Sequence, residues 1–134
     1  MVTEAQARSQ AAPVGGVPRW MRVAGGIVVA GGAAESAVLE VFYVPLRVGT
    51  VVLPVSILAA VVLNVVFPRV MFAATFVRWA VAVPAVLWLV VMVVMALGRP
   101  EGDVVLPGTW VGLGVLFGGT AAAAFGVTRA LPRP

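Results

Sequence analysis

Glu35 and Glu40 are the residues of this chain whose type and place could do chemistry. They lie in AGGAAESAVLE, Ala30 to Glu40, a run otherwise built of Ala, Gly, Val and Leu with one Ser. A carboxyl group at membrane depth is costly, and one that persists there commonly serves an ion or proton pathway. The chemistry in view is therefore the binding of a proton or a cation. Five residues of helix turn through about 500°, so the two acids project about 140° apart and cannot enter one narrow site together. Ser36, Glu40 and Tyr43 share a face instead, and Arg47 continues that line beyond Pro45.

Little else in the sequence is reactive. The 134 residues include no Cys and no His. Thiol chemistry, the commonest general base and the commonest metal ligand are thereby absent. The sequence has no nucleophile elbow, no phosphate-binding glycine loop and no zinc spacing. We therefore expect no catalytic residues, no metal, no cofactor and no enzyme activity. Arg99, Glu101 and Asp103 sit in a Pro/Gly-punctuated turn, where two acids are too few oxygens to define a divalent cation site. Trp88, Met92 and Met95 read as packing residues.

The elements that must position these groups follow from composition. The chain is 62% hydrophobic and 10% charged, with a mean hydropathy of +1.11. A soluble domain of this size cannot hide so much apolar surface. Lipid is the solvent that accepts it, so the lipid bilayer is the first partner. Four apolar stretches run over about 20–44, 48–67, 79–97 and 106–127, each near the 20 residues that cross a hydrocarbon core. Backbone polar groups in lipid must bond internally, and strand alternation is missing, so the expected fold is an all-α membrane protein with a four transmembrane helix bundle over 19–130. Residues 1–18 are polar and Pro/Gly-rich and read as a disordered cytoplasmic tail, with a short cytoplasmic tail at 131–134. Met71 to Val77 reads either as an interfacial turn or as the start of the third span. Arg19, Arg22 and the apolar run to GGAA also fit a cleaved signal segment, but apolar residues resume after Glu35 and continue to Val44.

The basic residues are all arginine. Their placement, and not nucleic acid, explains the pI near 11.5. With the first span leaving the cytoplasm, Arg8, Arg19, Arg22, Arg69, Arg78, Arg129 and Arg133 fall inside and Arg47 and Arg99 outside. This is a positive-inside pattern and predicts N-in/C-in. Trp20 and Trp79 then mark one interface, Tyr43 and Trp110 the other. Arginine without lysine, beside abundant Ala, Val and Gly, suits a GC-rich bacterial genome and a cytoplasmic (inner) membrane.

Depth can be matched between spans. Glu35 lies about 20 Å along the helix from Arg22, inside the hydrocarbon. Pro54 and Ser56 of the second span reach about that depth, and a helical Pro54 would free the Thr50 carbonyl. Glu35 with Ser56 is the candidate proton or cation site, while Asn64 lies too deep to meet it. The competing reading makes Glu35 part of a solvated outer end that pairs with Arg47. Glu40 reads as a solvated outer-face acid alongside Arg47, Arg99, Glu101 and Asp103. Small residues recur at helical spacing: Gly26, Ala30, Ala34 and Ala37 in the first span, Gly114, Gly118, Ala122 and Gly126 in the fourth. Such ladders let helices approach closely in lipid. Either the two ladders pack on each other, or one faces outward to a partner helix.

Four spans, a short chain and GGIVVAGGAAE running into Glu35 resemble the small multidrug resistance transporters. That resemblance implies paired subunits exchanging protons against cationic substrates at Glu35. The chain departs from the family after the glutamate, where it reads ESAVLEVFYVP, and in its third span, which lacks the family's Trp/Gly-rich segment. EGDVVLPGTWVG, leading into a Gly/Ala-rich last span, is similar to uncharacterised small four-span proteins of actinobacteria, which implies no activity. The leading expectation is an accessory or scaffolding subunit, in a homo-oligomer or a larger membrane complex. The alternative is a proton-coupled small transporter using Glu35.

Overall fold

A computed structural model describes residues 16–97, 102 and 105–131. Helix α1 spans Arg19–Tyr43. Strands β1 (Arg47–Val48) and β2 (Val51–Val52) pair antiparallel, Arg47 against Val52 and Val48 against Val51. Helix α2 spans Val55–Thr75. A 3-10 turn, Trp79–Ala82, leads into α3, Val83–Ala96, and α4 spans Trp110–Ala130. With the 3-10 turn joined to α3, these make four helices long and apolar enough to cross a membrane. The fold is a four-helix membrane bundle. The tails at 1–15 and 132–134, and Arg99, Glu101 and Asp103, lie outside the described residues.

Two boundaries differ from the sequence expectation, both at prolines. The second span begins at Val55, because 47–53 forms a hairpin. Gly49 and Thr50 join β-branched strands, and Gly49 adopts φ +63°, the positive value a Gly-X two-residue turn needs at its first position. Leu53 N–H donates to the Leu46 carbonyl at 3.0 Å and extends the ladder. Pro54 is then the N-cap of α2, where its missing N–H costs nothing, and it frees no Thr50 carbonyl within a helix. At the other end, α2 does not stop before Pro68 but runs through it to Thr75. Met71 to Thr75 therefore belong to the second span. Pro68 leaves the Asn64 carbonyl without its helical donor. That carbonyl lies against Gly126 of α4, at a place no Cβ could occupy. A neighbouring helix thus covers the freed group, the condition under which lipid tolerates an internal proline. Helix α2 ends at Phe76, in the left-handed region at φ 56°, with its N–H on the Phe72 carbonyl at 2.7 Å. The Arg22 guanidinium lies 5.9 Å from the centre of the Phe76 ring and holds this turn against α1.

Helix α2 is the hub. Gly25 and Gly26 of α1 meet Ala74 and Thr75, and Gly32 meets Phe67. On the other side Gly114 and Gly118 of α4 meet Ile57 and Val61. The two small-residue ladders therefore do not pack on each other, which removes the first of the two expectations. Gly26, Gly114, Gly118 and Gly126 all give their space to α2. Ala30 and Ala34 are half-buried, Ala37 and Ala122 buried. Lipid gives no hydrophobic drive between helices, so this close backbone contact is what holds the bundle. Trp88, Met92, Val111 and Val115 fill the core at the hairpin end, with Val44 and Leu106 folded over it.

The outside of the bundle is apolar from end to end: Ile27, Val28, Leu58, Val62, Val90, Val94 and Phe117 are all exposed. Trp20 and Trp79 are exposed at one end, Tyr43 and Trp110 at the other. Aromatic belts have this arrangement.

Candidate functional site

The two glutamates of α1 take opposite surroundings. The face that carries Ala33, Ala37 and Val41 turns inward, and it takes Glu40 with it; Glu40 is 2% exposed. Trp88 Nε1 of α3 donates to Glu40 Oε2 at 2.7 Å. Glu40 Oε1 has no hydrogen-bond partner, and neither does Ser56 Oγ, on the buried face of α2 one turn from Ala60. The Trp88 ring is itself fixed. Its outer edge fills the space where a Cβ of Gly119 would stand, beside Ala60. Four helices thus build the site: α1 supplies the acid, α3 the donor, α2 the Ala60 wall, and α4 the glycine that admits the indole.

This corrects the reading of Glu40 as a solvated outer-face acid. The chain after Tyr43 and before α4 closes over the bundle end, with Val44 1% and Leu106 6% exposed, and Leu106 N–H bonds the Met95 carbonyl at 2.9 Å. That lid moves the water boundary beyond Glu40. Trp88 likewise does more than pack. A buried indole N–H seeks an acceptor, and this need was the available sequence signal: a mid-span tryptophan requires an oxygen from a neighbouring span.

Glu35 is exposed on the lipid-facing side of α1. Gly25, Gly26 and Gly32 step backward along α2 against Thr75, Ala74 and Phe67. Continuing that antiparallel step sets Glu35 level with about Val65, the middle of α2, and Glu40 level with Ala60. The structure therefore does not bring Glu35 and Ser56 together; Glu35 lies about two turns before the end of α1 at Tyr43. Arg47 is exposed on β1, and among the described residues no ion pair or side-chain hydrogen bond joins it to either acid. Ser36 is occupied locally, its hydroxyl on the Ala33 carbonyl at 2.9 Å.

Around Glu35 the outward face has a regular order. Ala24, Val28, Gly31, Glu35, Val38 and Phe42 follow at spacings of four and three, within about 40° of one line along the helix, all exposed except the half-buried Val38. A Cβ on Gly31 would meet nothing within 4 Å. Near the start of α1, a groove of about 630 Å³ opens between Gly26, Met71, Thr75 and Ala80, with Arg19 and Arg22 at its rim. Among the described residues, no three His, Cys, Asp or Glu side chains gather as metal ligands would.

No family model, curated protein or solved structure matches the chain.

Proposed function

We propose that this chain is a non-enzymatic accessory or scaffolding subunit of a bacterial cytoplasmic membrane, with both termini cytoplasmic, and that it assembles with a second copy through the outward face of α1. The positive-inside pattern supports the orientation. Arg19, Arg22, Arg69, Arg78 and Arg129 lie towards the end where the chain enters and leaves the bundle, and Arg47 at the hairpin end.

The observation that carries the assembly is Glu35. An ionisable side chain facing hydrocarbon at mid-bundle is costly, and such groups normally face protein. Copies inserted in one orientation present parallel α1 helices to each other, so a twofold axis on this seam brings Glu35 onto its own counterpart. Carboxyl can then hydrogen-bond carboxyl across the interface, where Gly31 lets the backbones close. The four-three spacing is the pattern of a left-handed helix pair.

The test uses the absence of cysteine. Single cysteines at Gly31, Val38, Val62 and Val90 are oxidised in proteoliposomes at high lipid dilution. Disulfide dimers are expected at Gly31 and Val38 and not at Val62 or Val90; the same yield at all four positions would remove the seam. Glu35→Gln keeps a hydrogen-bonding group and should keep the dimer. A second reading is a proton-coupled small carrier, with Glu35 or the buried Glu40 as its coupling acid. Loss of substrate-driven proton flux in Glu35→Gln, with the dimer intact, would give the coupling role to Glu35.

A further inference from the structure

The bundle encloses one carboxyl group with half of its hydrogen-bonding capacity unmet. Among the described residues Glu40 is the buried ionisable side chain, and its Oε1 has no hydrogen-bond partner. The neighbours from each element are uncharged. Trp88 of α3 holds its Oε2, and the buried cluster at this end of the bundle, Ala37, Val41, Val44, Ala60, Met92 and Val115, is apolar. Arg47, the charged residue of the hairpin, is exposed. A bare carboxylate oxygen in such surroundings needs a positive occupant. A metal cation would need about six oxygen ligands to replace its water. Glu40 and the unpartnered Ser56 hydroxyl are far short of that. A proton needs one oxygen.

We propose that the Glu40 carboxyl is an exchangeable proton-binding site, held by Trp88 through Oε2 and open to the proton at Oε1. Trp88 is also its reporter. An indole N–H donates more strongly to a charged carboxylate than to a neutral acid, so its hydrogen bond shortens when the proton leaves. This inference is independent of the α1 seam, and it supplies the group that a proton-coupled carrier would use.

The experiment takes the full chain in lipid nanodiscs. Trp20, Trp79 and Trp110, all lipid-exposed, are replaced by Phe, and Glu4, Glu35 and Glu101 by Gln, leaving one tryptophan and one glutamate. The infrared carboxylic-acid band of carbon-13-labelled glutamate and the Trp88 indole Raman band are followed against pH. The expected result is a one-proton transition shared by both bands, unchanged when potassium or choline replaces sodium, with the indole transition absent in E40Q. The amide of E40Q keeps an acceptor for Trp88, so this variant should fold. If it does not, the shared midpoint of the infrared and Raman bands in the parent carries the test alone. No transition over the pH range of the folded protein would overturn the proposal. A Raman transition that persists in folded E40Q would overturn it too, and a midpoint that moves with sodium would make the site a metal-cation site instead.

Discussion

Two glutamates five residues apart on one helix show how far a fold can separate identical side chains. Glu40 is enclosed by four helices and bonded by Trp88. Glu35 stands on the opposite face at the middle of the bundle, with a bare glycine one turn before it. The inner region is closed and has its geometry imposed by neighbours on every side. The outer region is unfinished within one copy, and its order of small residue, acid and apolar residue matches a second helix better than lipid. The helix that carries both thus turns one face toward the protein's own core and, in the assembly proposed above, the other toward a second copy.

The sharpest way to break the inner half of this comparison is to deny Trp88 its place. Gly119→Leu sets a side chain where the indole edge and Ala60 already stand. Overpacking of a close core costs about 1–3 kcal/mol, and here the hydrogen bond to Glu40 goes with it, so about 3 kcal/mol or more is expected. Gly31→Leu makes the same chemical change on the outer face, where nothing stands within 4 Å. Reversible unfolding in mixed micelles should show a large loss for the first and almost none for the second. Equal losses would end the distinction between the two faces.

Trp88→Phe comes next in size. It keeps most of the ring and deletes the N–H, so both Glu40 oxygens are left unbonded. Stranding a buried acceptor costs about 1–3 kcal/mol. The loss should shrink when Glu40→Leu is added, because the group that was stranded is gone. A double-mutant cycle therefore reads the bond itself. Additive losses would mean that Trp88 contributes by volume alone.

Much of this architecture was legible from the sequence, and the failures have a common physical cause. The four helices, their apolar outer surface and the aromatic belts follow from run length and residue type, because lipid leaves the backbone few alternatives. The angular separation of Glu35 and Glu40 was also legible, since helical pitch is fixed. Which of the two faces turned inward was not. That depends on the neighbours: α2 and α3 pack on α1, Trp88 of α3 bonds Glu40, and Val44 and Leu106 seal the end. Proline misled for the same reason. Pro68 ends a helix in isolation, but beside Gly126 its cost is covered by another chain segment. The hairpin had a visible signal in Gly49–Thr50 between valines, masked by the hydrophobic run around it.

Glu35→Leu tests the outer half with a smaller effect. It removes a costly polar group from the lipid face, so the unfolding stability of the isolated bundle should hold or rise. Self-association should weaken by roughly 1 kcal/mol, since interhelical hydrogen bonds in membranes are worth about 0.6–2 kcal/mol. Energy transfer between labelled copies, measured as lipid is added, reads this directly. A fall in bundle stability without a change in association would place Glu35 in intramolecular contacts that the described residues do not contain.

The smallest effect belongs to Arg47→Ala, and its size sharpens the comparison. By sequence, Arg47 is the natural partner of either acid, one turn beyond the line of Ser36, Glu40 and Tyr43. In the fold it is exposed on β1, and Trp88 takes the place it would have filled beside Glu40. Loss of an exposed side chain with no partner among the described residues changes stability by less than about 0.5 kcal/mol. Unfolding and lipid-dilution measurements on this variant should therefore both stay at the parent value. A drop in bundle stability would tie Arg47 to Glu40 and bring a second ionisable group to that site. A drop in association would tie it to Glu35 of a neighbouring copy and move the seam toward the hairpin end.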